Sequence, residues 1–298
     1  MSFELRPLNG ETLPAFEAGA HVDVHVTHEI VRQYSISNDP REIGRYRLAV
    51  LAEPNSRGGS VAVHGGFAPG AIVTIGAPRN LFRLEEDATH SILLAGGIGI
   101  TPLLAMAYRL DALGRDFELH YCVRSETRIA FRQELTEGPL AARTWIHRDD
   151  GPDEQRFVLS RTLARPVPGA HLYVCGPAGF IDFVTAGAQR LRWPTDRVHI
   201  ERFSADVDTA GDAFTLVTSD GLTIEIPADK TIVEVLREHG VEVPTLCEQG
   251  VCGTCLTPVL EGIPDHRDFC QSDDEKATNA QMTLCCSRSK TPRLVIDI

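Results

Sequence analysis

No stretch of this 298-residue chain approaches the roughly 18 uninterrupted apolar residues of a membrane-crossing helix, and its first residues, MSFELRPLNG, lack the basic-then-apolar order of a secretory signal. A soluble, cytoplasmic protein with no membrane partner is expected. Basic charge is also in short supply: 29 Lys and Arg face 41 Asp and Glu, a net charge of -12. A nucleic-acid backbone is bound by a basic surface, so that partner is excluded and a basic protein surface suits this chain better. There is no internal repeat and no low-complexity tract.

Cysteine, by contrast, is plentiful, with eight residues. In a chain without a signal peptide, clustered cysteines bind metal or do redox chemistry more often than they form a disulfide framework. Cys122, Cys175 and Cys270 stand apart from the cluster and read as buried or inert thiols. The chain is long for a single core, which favours two or three domains.

Texture changes twice along the chain. The first stretch alternates apolar and polar residues in short runs (AHVDVHV, RYRLAVL, AIVTIGAP) broken by Gly and Pro, as half-buried antiparallel strands do. A small β-barrel or sandwich is expected up to about Leu84. From His90 the pattern becomes strand then helix: SILLAGG before TPLLAMAYRLDALG, FELHYCVRS before AFRQELTEG, and AHLYVCGP before AGFIDFVTAGAQRLRW. Strands alternating with helices predict a parallel, doubly wound sheet. Ser204 to Asp212 is small, polar and acidic, the composition of a linker. The last unit opens with the hairpin FTLVTSDGLTIEIP around Asp220-Gly221, followed by a helix, TIVEVLREHG, that ends on glycine. The predicted divisions are 1–88, 89–205, a linker at 206–211, and 212–298.

Three of the eight cysteines fall within CEQGVCGTC: Cys247, Cys252 and Cys255, with Cys285 following after 29 intervening residues. This CxxxxCxxC with one distant Cys is the plant-type 2Fe-2S arrangement, four thiolates holding two irons. Gly250 and Gly253 let the loop wrap closely and aim N–H groups at the sulfurs. A structural zinc site is the alternative, although zinc sites usually pair their cysteines as CxxC twice. Either Cys285 or its neighbour Cys286 is able to ligate; Cys285 keeps the spacing and Cys286 is taken as the non-ligand.

A one-electron centre needs an electron source. LLAGGIGITP places Gly96, Gly97 and Gly99 where a strand turns into a helix opened by Thr101 and Pro102, and a helix N-terminus offers free N–H groups to a pyrophosphate. It is not the GxGxxG fingerprint. YVCGPAGF supplies a second small-residue turn on the same expected edge of the sheet. In the first domain, RQYSIS (Arg32 to Ser37) sets an Arg, an aromatic and hydroxyls along one strand, able to face a flat, polar-edged ring and its phosphate. SRGGS (Ser56 to Ser60) is able to supply a backbone anion nest through Gly58, Gly59 and Ser60.

In this order, RQYS, SRGGS, GGIGITP, YCVRS, YVCGP, ERF and CEQGVCGTC with CCSR resemble the phthalate dioxygenase reductase family, which includes vanillate demethylase reductases and the reductase portion of self-sufficient haem monooxygenases. The resemblance covers essentially the whole chain. It implies a multidomain β plus α/β protein: a Greek-key flavin-binding barrel, a doubly wound NAD-binding sheet and a C-terminal β-grasp ferredoxin domain. It further implies that Arg32, Tyr34 and Ser35 flank FMN, with Arg32 near the phosphate and Ser35 near the ring nitrogen that receives hydride. Gly58, Gly59 and Ser60 would complete that site. Gly97, Thr101, Arg124 and Ser125 would meet the pyridine dinucleotide, Cys175, Gly176 and Pro177 would lie near the nicotinamide, and Phe203 would shield the flavin face. Such chains usually carry about another strand and a half before the segment that begins here at Met1, an expectation under which one barrel edge is open and FMN is held weakly.

The implied chemistry is an electron relay. NADH gives two electrons together as hydride and an oxygenase metal centre takes them singly, so a flavin stands between them. Plant-type clusters lie near about -400 mV, low enough to reduce such a centre. No acid or base is required, and His147 reads as a surface or core residue. NADH is expected over NADPH, although Arg124 is able to pair with a 2′-phosphate and no carboxylate clearly claims the ribose. The implied partner is a terminal oxygenase, Rieske-type or haem. From Asp212 onward, 15 Asp and Glu face 7 Lys and Arg, so this segment carries -8 of the net charge and is able to steer a basic oxygenase patch. A flavin-free iron–sulfur carrier and a zinc-stabilised interaction protein are the competing readings.

Overall fold

The computed structural model describes residues 1–28, 30–53, 58–163 and 166–298, with the Asn9 side chain set aside. Ser56 and Arg57 of SRGGS therefore lie outside the described residues. The chain forms two compact units, Met1–Glu201 and Arg202–Ile298. None of the described helices is long and apolar enough to cross a membrane.

The first unit begins with β1 (Ser2–Leu5), β2 (His21–His25), β3 (Val31–Ser35) and β4 (Tyr46–Ala49). Alternation drives β2 inward, since Val22 and Val24 are fully buried and join Phe16, Ile36, Tyr46 and Leu48 in a core. β1 pairs antiparallel with β4, and β2 with β3. The Ile36–Leu48 bridge joins β3 to β4, and His21 exchanges two 2.9 Å backbone hydrogen bonds with Arg79. The resulting antiparallel order is β1, β4, β3, β2 and the segment at 74–79. A helix not anticipated from SRGGS follows: α1 (Gly59–Gly66), entered through Gly58 at φ 80°.

The rest of this unit alternates β5 (His90–Gly96), α2 (Ile100–Ala112), β6 (Phe117–Val123), α3 (Arg132–Glu137), β7 (Thr144–Arg148), α4 (Leu159–Thr162), β8 (Ala170–Cys175), α5 (Ala178–Arg190) and β9 (Val198–Glu201). All five strands are parallel, in the order β7-β6-β5-β8-β9. β5 is buried on both faces: Leu93 and Ala95 pack with α2, Ile92 and Leu94 with α5. The direction of winding reverses between β5 and β8, which makes that pair of carboxyl ends the topological switch point where such sheets bind ligands. The barrel is fastened to this sheet by Arg47 on β4, whose guanidinium donates to both oxygens of Glu134 on α3 at 2.7 and 2.9 Å and lies over the Phe131 ring.

The second unit contains β10 (Phe214–Thr218), β11 (Thr223–Ile226), α6 (Ile232–Glu238), β12 (Leu256–Glu261), β13 (Pro264–Asp265), α7 (Asp273–Thr278), β14 (Gln281–Thr283), β15 (Arg288–Ser289) and β16 (Arg293–Ile296). Its five-stranded sheet runs β11-β10-β16-β12-β14, with only β10 and β16 parallel, and α6 buries Ile232, Val233, Val235 and Leu236 against it. This is the β-grasp arrangement, so the class expected from the sequence, β plus α/β in several domains, is the class observed. Gly221 takes φ 91° in the β10–β11 turn, and Thr231 and Glu234 cap α6 reciprocally. The acidic stretch read as a linker is held down by arginines. Arg267 donates to the Asp208 and Ala210 carbonyls, and the buried Arg288 donates to those of Thr209, Asp212, Pro227 and Lys230.

Candidate functional site

On β3, alternation puts Arg32 and Tyr34 on one face, and the neighbouring Ser35 is buried. Burial raises the Tyr34 phenol pKa. Arg32 lies across the start of α1: a Cβ on Gly59 would stand 2.7 Å from both its Cγ and its Nε. A side chain at this position would displace the cation from the helix N-terminus, and the guanidinium and the N–H groups there together suit a phosphate. The residues therefore fit the FMN phosphate. Ser60 differs from its expected role in one respect, because its Oγ already accepts the Glu53 N–H at 3.1 Å.

At the switch point, the turns after β5 and β8 touch. Gly97 has φ 54° and open space where a Cβ would point, whereas a Cβ on Gly99 would lie 2.2 Å from the Cys175 carbonyl oxygen. Gly176 also packs on Gly96, 3.0 Å from its Cα by the same measure. Thr101 is buried, and its hydroxyl donates to the Ile98 carbonyl at 3.0 Å. Arg124 is exposed at the end of β6 beside Ser125, whose Oγ is 3.1 Å from that of Thr127. Pro177 precedes α5 and is exposed. One carboxyl edge thus gathers Gly97, Thr101, Arg124, Ser125, Cys175, Gly176 and Pro177. The glycine turn and the α2 N-terminus fit a pyrophosphate.

Gly99 belongs to the glycine turn read from LLAGGIGITP, whereas another residue of this edge, Glu201, carries no signal of its own in the sequence. Glu201 ends β9 directly beside Cys175 in the parallel register, with its Oε2 3.9 Å from Sγ. Both groups are held neutral by burial, Glu201 pushed up to about 8 and the Cys175 thiol well above its ordinary value. The Cys175 thiol is thus enclosed, and its backbone forms the turn. Phe203 belongs to the second unit and is 43% exposed.

The thiol loop lies between α6 and β12. Glu248, Gly250 and Gly253 take φ of 51°, 70° and 69°, coiling the backbone around the sulfurs. Cys252, Cys255 and Cys285 are buried and Cys247 half-buried. The sulfurs meet as two pairs, Cys247 with Cys252 and Cys255 with Cys285, joined through Cys247 and Cys285. Hydrogen bonding from the Cys252 thiol, then from Cys285, lowers the Cys247 pKa. The N–H groups of Gln249 and Thr254 lie 3.4 and 3.5 Å from the sulfurs of Cys247 and Cys252. Among the described residues, no three His, Cys, Asp or Glu side chains close on a single ion position. Two linked pairs of thiols instead fit two irons, each held by one pair. Cys286 touches Cys285 but turns to the Thr283 hydroxyl at 3.2 Å and packs beneath Gly250. Cys270 hydrogen-bonds Asp268, and burial raises its thiol pKa, as it does that of Cys122.

Comparison with known proteins agrees with this layout. Residues 93–186 match the oxidoreductase NAD-binding domain, and 217–290 match the 2Fe-2S iron–sulfur cluster binding domain. The chain is 48% identical to a vanillate O-demethylase oxidoreductase of Pseudomonas sp., over 100% of this chain and 95% of that protein. Among solved structures it resembles phthalate dioxygenase reductase, described as a modular structure for electron transfer from pyridine nucleotides to [2Fe-2S] (TM-score 0.73, 41% identity, 100% of this chain and 92% of that one). It also resembles an intact type IV self-sufficient cytochrome P450 monooxygenase at TM-score 0.90 and 36% identity, covering 99% of this chain but only 38% of that fused protein. The nucleotide edge, the paired thiols and these full-length likenesses place the chain in the phthalate dioxygenase reductase family of NAD-linked iron–sulfur oxidoreductases.

Proposed function

We propose that the chain passes electrons from NADH through FMN to a 2Fe-2S cluster at Cys247, Cys252, Cys255 and Cys285, and from there to a basic-faced Rieske-type or haem oxygenase. The observation that carries this reading is the pairing of the four thiols in a chain that also has a nucleotide-binding switch point. FMN supplies the conversion of a two-electron hydride into single electrons, and the cluster supplies their one-electron outlet.

The chain's own residues bind and orient. Arg32 and the α1 N-terminus hold the FMN phosphate, while Tyr34 and Ser35 border the ring. Gly97 and the N-terminus of α2 hold the dinucleotide pyrophosphate, and Arg124 and Ser125 meet its adenosine half. The turn of Cys175, Gly176 and Pro177 positions the nicotinamide, with the neutral pair of Cys175 and Glu201 beneath it. The working modules are 1–88, 89–205 and 212–298, consistent with the matched ranges 93–186 and 217–290. The acidic surface of the last module orients the oxygenase through its charge.

The visible spectrum of the purified protein, recorded anaerobically before and after NADH, tests the relay. Flavin and iron–sulfur absorption that bleaches on NADH is expected, with NADPH a poorer donor. A brown protein that bleaches only after FMN is added retains the path with its flavin lost. A brown protein indifferent to NADH and FMN together is a flavin-free carrier, and a colourless zinc protein refutes the cluster; either outcome ends the proposal.

A further inference from the structure

Between β13 and α7 the chain reads Asp265-His266-Arg267-Asp268-Phe269-Cys270-Gln271. In an extended run, successive side chains take opposite sides. Asp265 and Arg267 turn to each other, 2.8 Å from Oδ2 to Nε, and Arg267 reaches the 208–210 backbone. His266 and Asp268 turn inward, with side chains 8% and 0% exposed.

This inward pair is incompletely bonded. Neither imidazole nitrogen of His266, nor Asp268 Oδ1, has a hydrogen-bond partner among the described residues, and His266 Nδ1 stands 3.9 Å from that oxygen. Gln271 Oε1 is buried and unpartnered as well. Native proteins satisfy nearly all buried polar atoms, so a concentration of exceptions marks a group with work beyond packing. The other Asp268 oxygen accepts the Gln271 N–H at 2.9 Å and the Cys270 thiol at 3.4 Å. Lys276 of α7 donates to the Asp268 carbonyl at 2.6 Å and holds its Nζ 4.0 Å from the carboxylate.

The pair stands directly behind the thiol loop. The Phe269 N–H donates to the Gly250 carbonyl at 2.8 Å, and a Cβ on Gly250 would lie 3.0 Å from Asp268 Cα. The Asp268 charge is felt by Cys286 and Cys270. Lys276 stands against Asp268 on one side, and one electron added beyond Gly250 brings a further negative charge to this enclosed region. A buried imidazole with an open nitrogen facing a buried carboxylate is able to cancel that charge with a proton.

We propose that His266 and Asp268 form a redox-linked proton site for the cluster, an inference that rests on the assignment of Cys247, Cys252, Cys255 and Cys285 as its ligands. The electron comes from NADH through the relay. The proton comes from solvent and binds a His266 nitrogen, held by Asp268; when the electron leaves for the oxygenase, the proton returns to solvent. Each transfer is balanced as one electron and one proton. The groups facing the site are Lys276 from α7, Cys270 and Gln271 from its own segment, and Cys286 across Gly250, while Asp265 and Arg267 are occupied with each other.

The test is the cluster midpoint potential of the full-length protein between pH 6 and 9, read from the electron paramagnetic resonance signal of the reduced cluster. The wild-type potential should fall with rising pH, approaching one proton per electron, where a tenfold change in proton concentration corresponds to about 59 mV for a one-electron couple. His266→Gln should flatten that dependence, and Asp268→Asn should weaken it while raising the potential. A flat wild-type profile, or an undiminished slope in His266→Gln, overturns the proposal. If His266→Gln holds no cluster, the reduced-minus-oxidised infrared spectrum of wild-type protein labelled with nitrogen-15 histidine decides. A label-sensitive imidazolium band supports the site, and its absence overturns it. Failure of the cysteine assignment is distinguishable, since wild-type protein would then show no cluster signal at all.

Discussion

The close approach of Gly99 to the turn after β8 makes a prediction that separates stability from catalysis. In Gly99→Ala the new Cβ would stand 2.2 Å from the Cys175 oxygen, 2.4 Å from its carbonyl carbon and 2.7 Å from the Gly176 nitrogen. All three are backbone atoms, so no side chain is able to swing aside. Ordinary contact begins near 3.4 Å, so the α2 N-terminus and the turn after β8 must part by about 1.2 Å. Overpacking of this kind costs about 1–3 kcal/mol, which lowers the melting temperature by about 2–12 °C in a unit of this size. A displacement near 1 Å at a reacting site costs about 100-fold in rate, so kcat/KM for NADH in ferricyanide reduction should fall by about that factor. Gly97→Ala is the control: nothing lies within 4 Å of its new Cβ, and the strain of φ 54° costs about 1–2 kcal/mol. That variant should raise KM for NADH with little change in kcat. A Gly99→Ala protein with wild-type melting and wild-type NADH kinetics would refute the argument that these two turns form one nucleotide site.

Cys285→Ser should abolish the iron–sulfur spectrum and cytochrome c reduction, whereas Cys286→Ser, altering a thiol that bonds Thr283, should keep both; loss of the cluster in Cys286→Ser alone would reverse the ligand assignment. Arg288→Ala removes four hydrogen bonds to part-buried carbonyls, each worth about 0.5–1.5 kcal/mol, so the second unit should lose about 2–6 kcal/mol in chemical denaturation, and a loss below ~1 kcal/mol would contradict the hub. Glu201 titrates near 8 when folded and near 4.5 when exposed, so its neutral burial contributes stability fully below about pH 4.5 that is lost as the pH rises through about 8. Melting temperatures at pH 5, 7 and 8.5 should show this decline in wild-type protein and not in Glu201→Gln, and parallel profiles would sink the assignment.

Local signals were the legible ones. β5 could be read because it is apolar on both faces, the β10–β11 hairpin because Asp220-Gly221 demands its turn, and the thiols because spacing alone groups them. α1 was hidden, since a helix entered through Gly58 and Gly59 looks like a loop until Arg32 is seen lying on it. β7 and β9 are edge strands with half-exposed side chains, and their periodicity is correspondingly weak. The meeting of Cys175 and Glu201 depends on which strands are neighbours, which no local pattern encodes. The 206–211 composition was equally mute about Arg267 and Arg288, donors that arrive from far along the chain to hold its backbone.

Arg288 also bears on how the second unit divides its tasks. Its four hydrogen bonds draw together carbonyls at 209, 212, 227 and 230, and none of them involves a cysteine. The cap of α6 and the β10–β11 hairpin are likewise free of sulfur. The fold around the thiol loop thus has fastenings that do not draw on the four thiols. Removing one of the four thiols should therefore cost the cluster while leaving these fastenings in place, a separation of binding from scaffold that circular dichroism beside the visible spectrum would display.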